Sequence, residues 1–291
     1  MVEIIKRLIR RNRIRSLRGK CLRSIDGEQI DMLKERFSEL TREVAFWLTE
    51  SEIRESLPKL RSLELAGKKF RTEGEFVEAL NVLSINPNQI KTLTKKARHV
   101  GGAFKYLEYR KYLEMNVARL VALDLDQAKS MKVLDLGCGA GFFLFAAQLC
   151  GHEGIGIDRG ENHEGFDRDG PCVFNEIRKL LQVNYIHHTI RPDKPVPPDL
   201  GEFDLITGFD CWFDGEYSAG RTYIPWSSDQ WRQFLIQISC CLRQGGRMHL
   251  EVNDKWESSE GYYYPEDINE VIPLEKFEGE ISNRTMSLTR R

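Results

Sequence analysis

The chain has 291 residues, 41% of them hydrophobic, with 43 Lys and Arg against 44 Asp and Glu, a formal charge of −1. That is enough apolar material for a full α/β core plus an accessory region, and no apolar run approaches the roughly eighteen residues of a membrane span. Seven cysteines, at 21, 138, 150, 172, 211, 240 and 241, show no paired spacing suited to zinc; no metal site is expected, and scattered thiols fit a reducing, cytoplasmic setting.

The charge is unevenly spread. Residues 1–23 hold nine Lys or Arg and one Glu, whereas the rest of the chain holds 34 basic and 43 acidic residues. This first segment interleaves Ile4, Ile5, Leu8, Ile9, Ile14 and Leu17 with arginines and reads as a basic amphipathic helix. Three roles suit it: packing on the body, contact with RNA, or contact with an anionic membrane surface. It lacks a short apolar core ending at small residues, so no secretory signal is expected.

Residues 24–128 carry helical spacing throughout, in EQIDMLKERFSELTREVAFWL, SEIRESLPKLRSLEL, EGEFVEALNVL, NQIKTLTKKARHV and AFKYLEYRKYLEMNVARLVALDL. Pro58, Asn86-Pro87 and Gly101-Gly102 punctuate them, and the region is predicted to be a helical accessory to the second half of the chain. From 129 to 291 the pattern changes. Strands are predicted at 131–137, 153–158, 183–190, 203–209 and 246–253, with helices at 141–150, 171–182 and 228–243. The link RPDKPVPPDLGE at 191–202 holds four prolines, so no crossover helix of ordinary length is expected there. FEGEIS and RTMSLTR read as a closing antiparallel hairpin. Alternation of this kind means a mostly parallel sheet with helices on both faces, a Rossmann-like α/β fold preceded by a helical amino-terminal region.

The stretch VLDLGCGAGFF, 133–143, turns from strand to helix through three glycines. A dinucleotide fingerprint needs its third glycine five places after the first, where this chain has Phe142, and a P-loop needs a Lys and a Ser or Thr that the turn lacks. Charge points the same way. Asp135 precedes the turn by two residues; beside a pyrophosphate a carboxylate repels, and beside an ammonium or sulfonium it attracts. Asp158 ends the next strand run, the place from which an acid accepts hydrogen bonds from ribose hydroxyls. The ligand expected at this turn is therefore cationic at one end and carries a ribose.

DLGCGAG with Asp158, then FDLITGFD and LRQGGRMHLEVN, resembles the successive motifs of the class I S-adenosylmethionine-dependent methyltransferases, over roughly 133–291. The resemblance implies a seven-stranded sheet whose last strand is antiparallel, and S-adenosylmethionine as cofactor. It implies a donor set of Asp135, Gly137, Cys138, Gly139, Ala140, Gly141, Asp158 and Phe209. The run NYIHHTI, where many members carry an acid or amide toward adenine, leaves the adenine contact to His187, His188 or backbone groups.

The acceptor should lie beyond the strand ends, by FDCWFDGEYSAGRTYIPWSS and NDKWESSEGYYYPED. These loops crowd aromatic side chains, which either pack on one another as a lid or stack on a planar acceptor. Trp212, Tyr223, Trp226 and Asn253 are the candidate substrate contacts, and Asp210 and Asp214 the candidate carboxylates for proton abstraction. His187, His188 and His249 are weaker base candidates. The place of an N-P-P-Y tetrad reads F-D-C-W, which argues against exocyclic amino groups of bases, and Asp210 rather than proline precedes Cys211. The expected activity is methylation of a small-molecule or saccharide-like acceptor, on oxygen. The alternatives are an RNA methyltransferase using the basic first segment, and a donor-binding module without turnover.

Overall fold

The computed structural model describes residues 2–35, 64–65, 68–69, 106, 109–158, 173–211, 215–217, 223–252, 264–265, 267–282 and 284–291. They fall into two compact units. One comprises 1–25, 110–160 and 178–291; the other comprises 26–109 and 161–177. These units regroup the three segments expected from sequence, since the basic first segment and 110–128 fall in the same unit as the sheet.

In the second unit residues 27–35 are helical, as their spacing predicts. Strands β1 (Glu64–Leu65) and β2 (Lys68–Lys69) pair antiparallel, Glu64 opposite Lys69 and Leu65 opposite Lys68. The helix expected to run through Leu65 is therefore corrected at its end, where backbone pairing replaces helical bonds. Tyr106 meets Phe174 edge-on at 4.9 Å. The remaining predicted helices of 36–105 lie outside the described residues.

The first unit opens with α1 (Val2–Arg23), which is held by one face. Leu17, Cys21 and Ile25 are buried at i, i+4, i+8 spacing. Arg13 Nε donates to Asp126 Oδ2 at 2.9 Å and its Nη2 to Asp124 Oδ1 at 2.9 Å, while Arg18 pairs with Glu114 at 2.7 Å. After α2 (Tyr109–Ala122) come β3 (Lys132–Leu136), α3 (Phe142–Leu149), β4 (Glu153–Asp158), α4 (Val173–Leu181) and β5 (Tyr185–His187). Next are β6 (Phe203–Cys211), a small antiparallel hairpin β7 (Gly215–Tyr217) and β8 (Tyr223–Pro225), and α5 (Ser228–Ser239). The chain closes with β9 (Leu242–Val252), α6 (Ile268–Val271), β10 (Phe277–Ser282) and β11 (Thr285–Arg290).

Seven strands form the main sheet in the order β10-β11-β9-β6-β3-β4-β5. β3, β4, β5, β6 and β9 run parallel to one another, and β11 runs antiparallel to both β9 and β10. The central strands are buried on both faces, as parallel strands under helices must be: Val133 to Leu136 are all buried, as are Leu205, Ile206 and Thr207. α3 is apolar all round and buried from Phe142 to Ala147. α5 presents Trp231, Phe234, Leu235 and Ile238 as one helical stripe.

Boundaries moved where tertiary bonds captured the backbone. β9 starts at Leu242, not 246, because Phe203 N–H donates to Cys241 O at 2.8 Å and draws Leu242 into register with Phe203. The ladder then skips to Leu205 opposite Arg247, and Gly245, at φ 72°, sits inside the bulge. β5 is shorter than predicted, and 191–202 contains no helix, in line with its prolines.

α5 begins with a reciprocal cap: the Ser227 hydroxyl accepts from Gln230 N–H, and Ser227 N–H donates to Gln230 Oε1 at 2.9 Å. Ser227→Ala should lower the unfolding free energy by about 1 kcal/mol, read as a lower urea midpoint at unchanged slope.

Candidate functional site at the carboxyl ends of the strands

From β3 the chain moves outward through β4 to β5, then returns across to β6 and β9. The sheet order reverses beside β3, and ligands of open α/β sheets lie above the carboxyl ends at that point. The glycine turn stands there. Gly137 and Cys138 N–H both donate to Ile157 O, at 2.7 and 3.0 Å, and Gly141 N–H donates to Cys138 O at 2.9 Å. Gly137, Gly139 and Gly141 take φ values of 68°, 51° and 81°, in the left-handed region that side chains avoid. A Cβ at Gly141 would press Val183 at 3.1 Å, whereas a Cβ at Gly139 would meet nothing within 4 Å. The backbone at Gly139 thus faces open space.

The sheet has the make-up that the resemblance to the class I methyltransferases implied. Six strands of one direction and a last strand inserted against them are the arrangement the resemblance implied. No protein-family model matches the chain, and no curated protein matches it in sequence. Solved structures to which the chain is similar include ribosomal protein L11 methylase from Lactobacillus delbrueckii subsp. bulgaricus (15% identity over 60% of this chain and 78% of that one, TM-score 0.37). A TehB-like methyltransferase from Corynebacterium glutamicum aligns at 17% identity over 65% of this chain and 96% of its own, TM-score 0.39. The 16S rRNA N2 G1207 methyltransferase of Thermus thermophilus, solved with AdoMet and guanosine, aligns at 15% over 62% of this chain and 42% of its own, TM-score 0.38. These are likenesses of fold.

Asp135 lies beneath the turn and inside the sheet rather than in the turn itself. It is only 4% exposed, sits in register with Thr207 on β6, and accepts from the Thr207 hydroxyl at 2.8 Å. Burial pushes its carboxyl up to about 7; the Thr207 hydrogen bond and the positive charge of Arg119 pull back, and Asp158 adds to the rise. Cys138 is buried and its thiol is pushed well above the ordinary range, chiefly by desolvation. Ala140 is buried in the same turn.

Asp158 ends β4, and Arg178 meets it. Arg178 Nη1 donates to Asp158 Oδ2 at 3.0 Å and to Gly139 O at 2.9 Å, and its guanidinium lies 3.9 Å from the centre of the Tyr185 ring. Sequence reasoning passed over this residue, although a signal was present: in VFNEIRKLL, Phe174, Ile177 and Leu181 form an apolar stripe, and Arg178 occupies a stripe position.

Toward β6 and β9 the turn is flanked by a second charged group. Asp210, a non-glycine residue at φ 49°, accepts from Arg119 through Oδ2 and from Arg284 through Oδ1, the latter at 2.6 Å. Glu251 lies 3.5 Å from both guanidiniums. Phe209 packs on Phe143 at 4.8 Å with Arg119 4.8 Å above its ring, and His249 lies 5.7 Å away, sharing a hydrogen bond with Ser287. Burial, then Arg119 and Arg247, hold His249 below its ordinary range. His187 is exposed on β5, and His188 Nε2 donates to Lys194 O at 3.0 Å.

Of the candidate acceptor contacts, Trp226 belongs to the core. It is 4% exposed and packs on Trp231 and Phe234, at 5.2 and 5.5 Å between ring centres. Tyr264 is likewise buried, its hydroxyl donating to Leu250 O. Trp212, Asp214, Asn253 and the Tyr223 side chain lie outside the described residues. A cleft of about 420 Å³ lined by the proline loop, Cys240 and Cys241 opens at the other end of the sheet, by the starts of β6 and β9. Among the described residues no group of His, Cys, Asp or Glu is placed to hold a metal ion.

Because the folded Asp135 carboxyl titrates near 7 against about 4 for a solvated one, its contribution to stability is complete below pH 4 and is lost as pH rises through 7. Asp135→Asn should therefore match wild type near pH 4.5 and melt several degrees higher at pH 8, by thermal denaturation across that range.

Proposed function

We propose that the chain is an S-adenosylmethionine-dependent methyltransferase acting on a small-molecule or saccharide-like acceptor, on oxygen. One observation carries the donor: the left-handed turn that faces open space at Gly139 stands between a buried acid, Asp135, and an acid at the next strand tip, Asp158. Glycine backbone would approach the methionine portion, Asp135, the acid with no guanidinium bonded to it among the described residues, favours a positive sulfonium over a pyrophosphate, and Asp158 would accept from the ribose. Bound there, S-adenosylmethionine supplies an electrophilic methyl and a good leaving group.

The chain's own residues then have the task of alignment. Methyl transfer needs the acceptor in line and close, and positioning supplies most of such a rate enhancement. Both Asp210 oxygens already accept from guanidiniums, so this carboxylate orders the loop end rather than waiting for an acceptor proton. The acidic balance outside residues 1–23 supports an uncharged acceptor over a polyphosphate, and the scattered thiols support the cytoplasm.

Calorimetric titration tests the donor. Wild type should bind S-adenosylmethionine, and not reduced nicotinamide dinucleotides; Asp158→Ala should weaken it at least about tenfold, and Gly139→Val should abolish it by filling the open space. Donor affinity should climb from pH 6 to 8 as Asp135 ionises, and flatten in Asp135→Asn. A variant that binds the donor like wild type would remove that residue from the site. An acceptor screen that tracks S-adenosylhomocysteine release separates turnover from binding alone.

A second reading, an RNA substrate, is favoured by α1. Residues 6–12 are exposed on every side, and Lys6, Arg10, Arg11 and Arg15 stack like charges four and five residues apart without a compensating acid between Ile4 and Ile25. Since Leu17 and Cys21 are core residues, truncating α1 would damage the fold; changing Lys6, Arg10, Arg11 and Arg15 to Gln leaves the buried face intact. If RNA is the substrate, these changes should flatten the dependence of log affinity on log salt by about 0.7 for each phosphate that the variant no longer neutralises. Absent or unaltered RNA binding in filter assays would dismiss this reading.

A further inference from the structure

Arg178 is buried to 2% exposure on α4, yet neither donor binding nor methyl transfer has so far required it. Its Nη1 atom does two things at once. It donates to Asp158 Oδ2 at 3.0 Å and to the carbonyl of Gly139 at 2.9 Å. A single nitrogen therefore sets the distance between the glycine turn, which ends β3, and the acid, which ends β4. The guanidinium is itself held against Tyr185 of β5, 3.9 Å from the ring centre, and Nη1 lies 3.8 Å from Cys138 Sγ. Three neighbouring strands thus meet on one side chain.

From this geometry we infer that Arg178 is the positioning residue of the nucleoside site: it holds the Asp158 carboxylate and the Gly139 backbone at the mutual spacing that the ribose and methionine portions of one ligand require. The inference rests on the donor reading under Proposed function. The physical reasons are three. A guanidinium stays charged at any pH of interest and so always faces Asp158 with positive charge. Its planar fork, clamped on an aromatic face, loses little further freedom when it bonds, so it freezes the rotation of a partly exposed aspartate at small cost. A buried arginine is expensive to retain without such partners. The bond to Gly139 O also pins the peptide of a residue at φ 51°, a conformation that glycine alone would leave mobile.

The test is a thermodynamic cycle between protein and ligand on the full chain. S-adenosylhomocysteine and its 2′,3′-dideoxy analogue are titrated into wild type and Arg178→Lys. Lysine keeps the charge but not the fork or the stack. If Arg178 acts through Asp158 on the ribose, Arg178→Lys should lose about tenfold in affinity for S-adenosylhomocysteine and less than about twofold for the dideoxy analogue, which has no hydroxyl for Asp158 to accept. A loss that is equal for both ligands would make Arg178 a purely structural residue and overturn the inference, as would no loss at all. Tyr185→Leu, which removes the stack and leaves the guanidinium in place, should give the same ligand-selective loss at smaller size, and it carries the test if Arg178→Lys does not fold. Failure of wild type to bind S-adenosylhomocysteine at all would instead defeat the donor reading, and the inference with it.

Discussion

One carbonyl organises this site. Ile157 O accepts from the amides of both Gly137 and Cys138, which ends the β3–β4 ladder by bending the chain over it. A parallel ladder normally offers each carbonyl one amide; doubling up requires the left-handed turn that only glycine makes at little cost. Gly156, in register with Asp135 on the neighbouring strand, extends the constraint: a Cβ there would sit 2.4 Å from Cys138 Sγ. The turn can lie close on β4 because β4 presents no side chain beneath it.

Charge is arranged around that bend in layers of different solvation. Asp135 is shut inside the sheet, where burial raises its carboxyl into the neutral range against the pull of the Thr207 hydroxyl and the charge of Arg119. Asp158 is partly exposed but answered by a buried guanidinium, and Asp210 with Glu251 is answered by two. The acids nearest the turn thus differ in what compensates them. A cation docking over the turn would find its least compensated counter-charge in Asp135, the acid whose ionisation it would itself favour.

α1 obeys a different constraint. Its carboxyl-terminal half is fixed by Leu17, Cys21 and the Arg13 bonds to Asp124 and Asp126, whereas residues 6–12 stand in solvent with Leu8 and Ile9 each 53% exposed. Helices in proteins hold through tertiary packing more than through propensity, and like charges along one ridge work against them. The body to which α1 is fixed carries the opposite net charge.

Much of this was legible in the chain itself. Alternating short and long apolar runs, the prolines of 191–202 and the terminal hairpin determined a mostly parallel sheet, because periodicity and backbone chemistry are local. The three glycines and the acids at 135 and 158 likewise marked the turn by spacing alone. What tertiary structure decided were pairings between residues far apart: Arg178 with Asp158, Arg119 and Arg284 with Asp210, Thr207 with Asp135. Trp226 shows the limit most plainly, for its position in an aromatic loop resembles an acceptor wall until Trp231 and Phe234 close over it. A sequence states which side chains exist and how often they recur; which of them meet is settled by strand register and helix docking, and these depend on the whole core at once.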